Sequence, residues 1–221
     1  MTGIIGNLIK WTPYMLSGCA LTIKLFLIVI VFSLPFGLLL TFLYTGKSKI
    51  IGAVVGFYIL VMRGTPLLLQ IFFVWYGLPF IPKIGKYVTF SDRFTAGCVA
   101  YIFNYAAYFA EIFRGGLLSV DKGQFEAAKV LGLSETQTTF KIVLPQMIRI
   151  SLPAVSNEAI ILIKDTALIT TLGLYDLLKV TNNIVNTTTN ITAFGVAACF
   201  YLIMSSVLTV VFNRLEKKYA F

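Results

Sequence analysis

The chain contains no histidine, and only 12% of its 221 residues are charged. Histidine is the side chain most often used as a general base at neutral pH and the commonest metal ligand, so its absence removes the usual basis of an active site. No cluster of carboxylates replaces it, because the nine acidic residues are scattered along the sequence. We therefore predict that this chain is not an enzyme and binds no metal ion.

Cysteines are also few and widely separated. Cys19, Cys98 and Cys199 form an odd-numbered set, and each lies within apolar or small-residue sequence. Cysteines in such surroundings usually serve as small buried hydrophobic side chains. The sequence therefore predicts no disulfide framework.

A nucleotide-binding motif is missing as well, although one tripeptide imitates part of it. Gly46-Lys47-Ser48 matches the end of a P-loop, but that motif requires a glycine at the position of Thr41. The tripeptide also follows a predicted membrane span, whereas a P-loop follows a strand. Any ATP that drives this protein must therefore bind to another polypeptide.

Long apolar runs dominate the sequence. Hydrophobic residues make up 58% of the chain and the mean hydropathy is +0.88, as expected for a protein that crosses a bilayer several times. We predict an all-α membrane bundle that forms one domain over residues 1–221, with five spans near residues 23–44, 55–78, 94–118, 146–171 and 193–212. Alternatively, residues 50–62 form a separate short helix at the cytosolic surface, because Arg63-Gly64-Thr65-Pro66 interrupts the second span.

Positive charge is distributed unequally between the two sides of this predicted bundle. An odd number of spans places the two termini on opposite sides of the membrane. The side that is richer in lysine and arginine is predicted to be cytosolic, which puts the N-terminus outside and the C-terminus inside. The basic residues on the cytosolic side are Lys47, Lys49, Arg63, Arg114, Lys122, Lys129, Lys141, Arg149, Arg214, Lys217 and Lys218.

Residues 121–145, here called the polar segment, lie between two apolar spans on the cytosolic side. A short helix before Gly132 is predicted by three apolar residues at helical spacing, Phe125, Ala128 and Leu131. Gly132 suits a left-handed helix stop, and Ser134 with Gln137 has the spacing of a capping box that starts a second helix. We therefore predict a bent two-helix knob that a partner protein grips, although an ordinary amphipathic loop is the alternative.

The fourth span carries two carboxylates, Glu158 and Asp165. They are seven residues apart, so on a helix they share one face about 10 Å apart. Charged groups within a span are costly to expose to lipid, so this face is predicted to line a path for a cationic ligand. In the alternative interpretation Asp165 pairs with Lys164 or a neighbouring span and Glu158 only fixes helix packing. The side chains predicted to complete the ligand site are Asn157, Thr166, Thr170, Gln70 and Asn104.

The polar segment resembles the EAA signature of the membrane subunits of ABC importers, the site at which those subunits contact their ATPases. The matching residues are Glu126, Ala127, Ala128, Gly132, Ile142, Leu144 and Pro145. In our interpretation Ala127 and Ala128 are small enough for another protein surface to approach the backbone closely. The resemblance assigns the polar segment to the coupling of ATP hydrolysis with transport.

Further motifs resemble the polar amino acid permeases, the group that includes histidine, arginine, glutamine and cystine systems. They are Arg63-Gly64-Thr65-Pro66-Leu67 with Gln70, Tyr76-Gly77-Leu78-Pro79, Ala110-Glu111-Ile112-Phe113-Arg114-Gly115-Gly116 before Gly123-Gln124, Asn157-Glu158 and Lys164-Asp165-Thr166. One position departs from the group, because Ala167 stands where serine is usual. Arg63 itself is interpreted as a structural residue or a ligand of lipid phosphate.

By this resemblance the chain is expected to be the permease subunit of an ATP-driven importer in a bacterial cytoplasmic membrane, carrying a polar and preferably basic amino acid by alternating access. It implies two ATPase subunits that bind ATP and magnesium, an external amino-acid-binding protein and a second permease half, which we expect to be an identical chain. No cofactor is expected on this chain itself. The alternatives are an ATPase-independent secondary carrier or channel, and an importer permease for a different small solute.

Overall fold

A computed structural model describes residues 2–83 and 85–219, apart from the side chains of residues 2–5, 7 and 8. Within these residues all regular structure is helical, which confirms the all-α prediction. The α-helices are α1 (Thr2–Thr45), α2 (Lys49–Gly64), α3 (Leu67–Phe72), α4 (Arg93–Leu118), α5 (Lys122–Val130), α6 (Glu135–Thr138), α7 (Leu144–Asp165), α8 (Leu177–Thr188) and α9 (Thr192–Tyr219). Shorter π-helical and 3₁₀ turns connect several of them, at residues 73–77, 78–80, 85–87, 139–143 and 166–172.

Four helical segments in the described part of the chain are long and apolar enough to cross a membrane: Ile9–Thr45, Arg93–Leu118, Glu135–Leu172 and Thr192–Tyr219. Lys49–Gly64 and Leu67–Phe80 form a fifth span if they are counted together, although the two pieces meet at an angle of 107°. The structure thus places a corner in the middle of the span expected at 55–78. Pro66 causes it, because proline disfavours a helical conformation at the preceding residue, and Thr65 is extended.

Helix α4 is the centre of the bundle. Its Tyr101, Tyr105 and Phe109 are among the largest fully buried side chains. Helix α1 packs closely along α4, and a Cβ atom on Gly37 would lie only 2.7 Å from the Cβ atom of Phe109. The hydroxyl of Thr41 donates a bifurcated hydrogen bond between the two helices, to the carbonyl oxygens of Gly37 at 2.9 Å and Ala110 at 3.0 Å. Glycine at position 37 therefore sets the distance between α1 and α4.

The end of the bundle far from the polar segment is fixed by helix caps. The Asp92 carboxylate accepts hydrogen bonds from the backbone N–H and the hydroxyl of Thr95 at 2.8 and 2.7 Å, which lowers the pKa of Asp92. Asp176 caps α8 from a buried position, and burial raises its pKa. The guanidinium of Arg93 donates to the Leu172 carbonyl oxygen at 3.1 Å. The bond from Arg93 holds the start of α4 against the segment that follows α7.

Candidate functional site

A cleft of about 540 Å³ lies where the corner between α2 and α3 meets α4 and α7. Parts of three motifs singled out from the sequence meet here: the run from Arg63 to Leu67, Glu158 and Asp165. The corner supplies backbone and polar atoms, α4 supplies aromatic rings, and α7 supplies both acidic side chains. The lining residues are Arg63, Gly64, Thr65, Pro66, Leu67, Asn104, Tyr105, Tyr108, Glu158, Ile161, Asp165 and Leu168.

Glu158 and Asp165 both line this cleft, as their spacing on one face of a helix predicts. The phenolic O–H of Tyr105 donates to the Asp165 carboxylate at 2.7 Å, and the O–H of Tyr101 donates to the Asp165 backbone carbonyl oxygen at 2.8 Å. Asp165 is therefore oriented by α4. Glu158 has no hydrogen-bond partner among the described residues. The residue is partly exposed and lines the cleft, so its carboxylate is available to a ligand.

Of the other five residues predicted for the ligand site, two lie at the cleft and three lie outside its lining. Asn104 lines the cleft, and Gln70 lies directly behind it as its hydrogen-bond partner. Asn157 is exposed on α7 outside the cleft lining, and Thr166 is fully buried and donates to the Ile163 carbonyl oxygen at 2.6 Å. Thr170 lies beyond the end of α7, half-buried in the 3₁₀ segment. The change from α to 3₁₀ geometry after Asp165 alters the angle between successive side chains, so the face does not continue.

Gln70 and Asn104 fix the corner that forms one wall of the cleft. The Asn104 amide donates to the Met62 carbonyl oxygen and to the Gln70 side-chain oxygen, both at 3.0 Å. The Gln70 amide donates to the carbonyl oxygen of Met62 at 2.9 Å and to the hydroxyl of Thr65 at 2.8 Å. These bonds satisfy backbone groups that the end of α2 leaves without helical partners. The corner is thereby held rigidly against α4.

Sequence reasoning did not single out Tyr105 and Tyr108, and it placed Arg63 on the cytosolic side as a structural residue or a ligand of lipid phosphate, yet all three line the cleft. Arg63 lies at the end of α2 opposite to Lys49, about 21 Å away along the helix axis, and therefore lies beside the two acids and not with Lys47 and Lys49. The Arg63 guanidinium lies over the ring of Tyr108, 5.4 Å from its centroid. A signal for Tyr108 was present, since it follows Asn104 by four residues and therefore shares its helical face. No comparable local signal marks Tyr105, whose role depends on how α4 crosses α7.

The polar segment has the bent two-helix form predicted for it. Helix α5 ends before Gly132, which has a φ angle of +73°, the left-handed conformation expected for a glycine stop. The capping box is confirmed, because the backbone N–H of Gln137 donates to the Ser134 hydroxyl and the Ser134 N–H donates to the Gln137 side chain. Residues 139–143 then form a π-helical turn that leads into α7. A movement of the polar segment would therefore act directly on the helix that carries Glu158.

The exposed tip of the polar segment is apolar. Val130 and Leu131 are 87% and 76% exposed, and Glu126 and Ala127 are exposed beside them. Such a projecting apolar tip is typical of a surface that another protein covers.

Ala128 differs from the expectation of an open surface, because its side chain is only 1% exposed. It packs inside the chain, since it lies on the inner face of α5, and its small size serves that packing. Farther along the segment Ile142 and Leu144 are half-buried and Pro145 is exposed. An exposed ion pair between Lys47 and Glu135, 2.6 Å apart, ties the segment to the loop after α1.

Comparison with known proteins gives concordant results. The family model described as binding-protein-dependent transport system inner membrane component matches residues 33–221. The histidine/lysine/arginine/ornithine transport system permease protein of Escherichia coli K12 is 37% identical over 219 residues, covering 95% of this chain and 90% of the relative. A glutamine transport system permease protein of Rickettsia conorii is 35% identical over 215 residues, covering 96% of each chain. A crystal structure of an amino acid ABC transporter with histidines matches with a TM-score of 0.86 and 31% identity, covering 96% of this chain and 97% of the other.

Proposed function

We infer the function of this chain from its family: it belongs to the binding-protein-dependent transport system inner membrane components. It is a membrane permease subunit of an ABC transporter. We propose that its substrate is a polar amino acid and that a basic amino acid is preferred. The observation that carries this proposal is the pair Glu158 and Asp165, which face one cleft between α4, α7 and the corner after α2. Two carboxylates in one site favour a ligand with more than one cationic group.

The polar segment is proposed as the docking site for a separate ATPase subunit, which binds ATP and magnesium. The exposed apolar tip at Val130 and Leu131 supplies the contact surface. When the ATPases close on ATP, they carry this tip with them, and the π-helical turn transmits the movement to α7. The two acids on α7 then face alternately outward and inward, which is a population shift between two arrangements of the same helices.

The complete transporter is proposed to contain a second permease half, as an identical copy, and an external amino-acid-binding protein. Apolar side chains of α2 and α3 beside the cleft corner are exposed in this chain, among them Phe57, Leu60 and Leu69. A second copy against this face closes the path around both clefts. The charge distribution supports an N-terminus outside and a cytosolic C-terminus in a bacterial cytoplasmic membrane.

Copurification and transport test this proposal together. The tagged permease is expressed with its ATPase, purified in detergent and reconstituted into liposomes with binding protein and internal ATP. We expect a stable permease–ATPase complex and ATP-dependent uptake of basic amino acids in a screen of all amino acids. Uptake that persists without the ATPase identifies a secondary carrier or channel. ATP-driven uptake of a solute other than an amino acid overturns the substrate assignment alone.

A further inference from the structure

Arg63 is the basic residue of the last turn of α2 and lines the same cleft as Glu158 and Asp165. Its guanidinium is held at the cleft wall by the face of the Tyr108 ring, at 5.4 Å from the ring centroid. Stacking on an aromatic face leaves the N–H donors at the edge of the guanidinium free to bind a planar anion.

Among the residues that the structure describes, no two charged groups of the cleft form an ion pair within 4.0 Å. The ion pairs of Lys47 with Glu135 and of Arg114 with Glu111 do not involve Arg63, Glu158 or Asp165. Arg63 is therefore not paired with a carboxylate in that part of the chain, although two carboxylates line the same cleft. A structural role for these charges in a membrane domain would favour a paired arrangement, because unpaired charges in a span are costly. Charges of both signs that are kept apart in one cleft are suited to a ligand that also carries both signs.

The position of Arg63 is preorganised by the bonds behind it. The carbonyl oxygen of Met62, the residue before Arg63, accepts from both Gln70 and Asn104. Thr65, two residues later, is fixed by two further bonds from Gln70 at 2.8 and 3.2 Å. The backbone on either side of Arg63 is thus anchored to α3 and α4. Such anchoring lowers the entropy that a binding group loses when it captures its ligand.

We propose that Arg63 binds the α-carboxylate of the transported amino acid, while Glu158 and Asp165 bind its α-ammonium group and its cationic side chain. This inference rests on the proposed function and adds the orientation of the substrate. Two acids and one base in the cleft complement a ligand with two cationic groups and one carboxylate, which is the charge pattern of a basic amino acid. The fork of an arginine also fits a carboxylate with two parallel hydrogen bonds.

Equilibrium binding to the purified permease–ATPase complex, without the external binding protein, tests this assignment. The probes are radiolabelled L-arginine and agmatine, which is arginine without its carboxylate. We expect Arg63→Gln to weaken L-arginine binding by about tenfold or more, the usual scale for one charge-assisted bidentate contact, and to leave agmatine binding within about twofold. Arg63→Lys should restore part of the loss, since it keeps the charge without the fork.

Lys164→Gln is the matched control, because it removes a positive charge next to Asp165 from a side chain that does not line the cleft. It should leave the binding of both probes unchanged. An equal loss of L-arginine and agmatine binding in Arg63→Gln would show a structural role and overturn the carboxylate assignment. Unchanged L-arginine binding in Arg63→Gln would also overturn the carboxylate assignment. In that case, weaker binding of both L-arginine and agmatine in Glu158→Gln would still support the proposed substrate site. If the unaltered complex binds neither probe, the basic-substrate proposal fails together with this one.

Discussion

Val130 projects from the tip of the polar segment with 87% of its side chain exposed, and the substitution Val130→Asp tests whether a partner covers this tip. Burying a valine side chain contributes about 1.5 kcal/mol or more. An aspartate in the same position loses that contribution and must also give up its hydration. We therefore expect the affinity for the ATPase to fall by about tenfold or more.

The assay is copurification of the tagged permease with its ATPase at limiting ATPase concentration, followed by ATP-driven uptake in liposomes. Val130→Asp should insert into the membrane normally, because the residue contacts neither the core nor lipid in the proposed orientation. It should recover less ATPase and transport more slowly. Val88→Asp is the control, since it places the same charge at another exposed valine, in the loop between α3 and α4 and outside the polar segment. Wild-type ATPase recovery by Val130→Asp would refute the docking role of the tip.

Three further outcomes follow from the structure. Glu158→Gln removes one charge at nearly constant size and should reduce uptake of a basic amino acid by about tenfold or more with normal expression; unchanged uptake would return Glu158 to a packing role. Gly37→Ala should lower the melting temperature in detergent, because the new methyl group would lie 2.7 Å from the Cβ atom of Phe109. Gly195→Ala is the control and should be neutral or stabilising, because its new methyl group has no neighbour within 4 Å. Gln70→Leu leaves two polar groups of the corner without a donor, so thermal stability and uptake should both fall; a variant with wild-type values of both would show that the corner does not need this network.

Local sequence signals predicted those features that depend on one or two helical turns. The left-handed stop at Gly132 and the capping box of Ser134 with Gln137 were predicted because each involves residues no more than three positions apart. The common face of Glu158 and Asp165 follows from helix geometry alone in the same way. The corner at Pro66 was foreseen as an interruption, since proline restricts its immediate neighbour whatever the rest of the chain does.

Only the tertiary structure decided which groups meet across helices. The bond from Tyr105 to Asp165 joins residues 60 positions apart, and the bond from Asn104 to Gln70 joins residues 34 positions apart. The burial of Ala128 likewise depends on what packs against α5, and the place of Arg63 in the cleft depends on the 107° corner. These contacts are set by the angles and distances at which helices pack, and no local pattern of residues encodes those angles by itself. The sequence determined the helical class, the local bends and the charges, and helix packing determined which of those charges face one another.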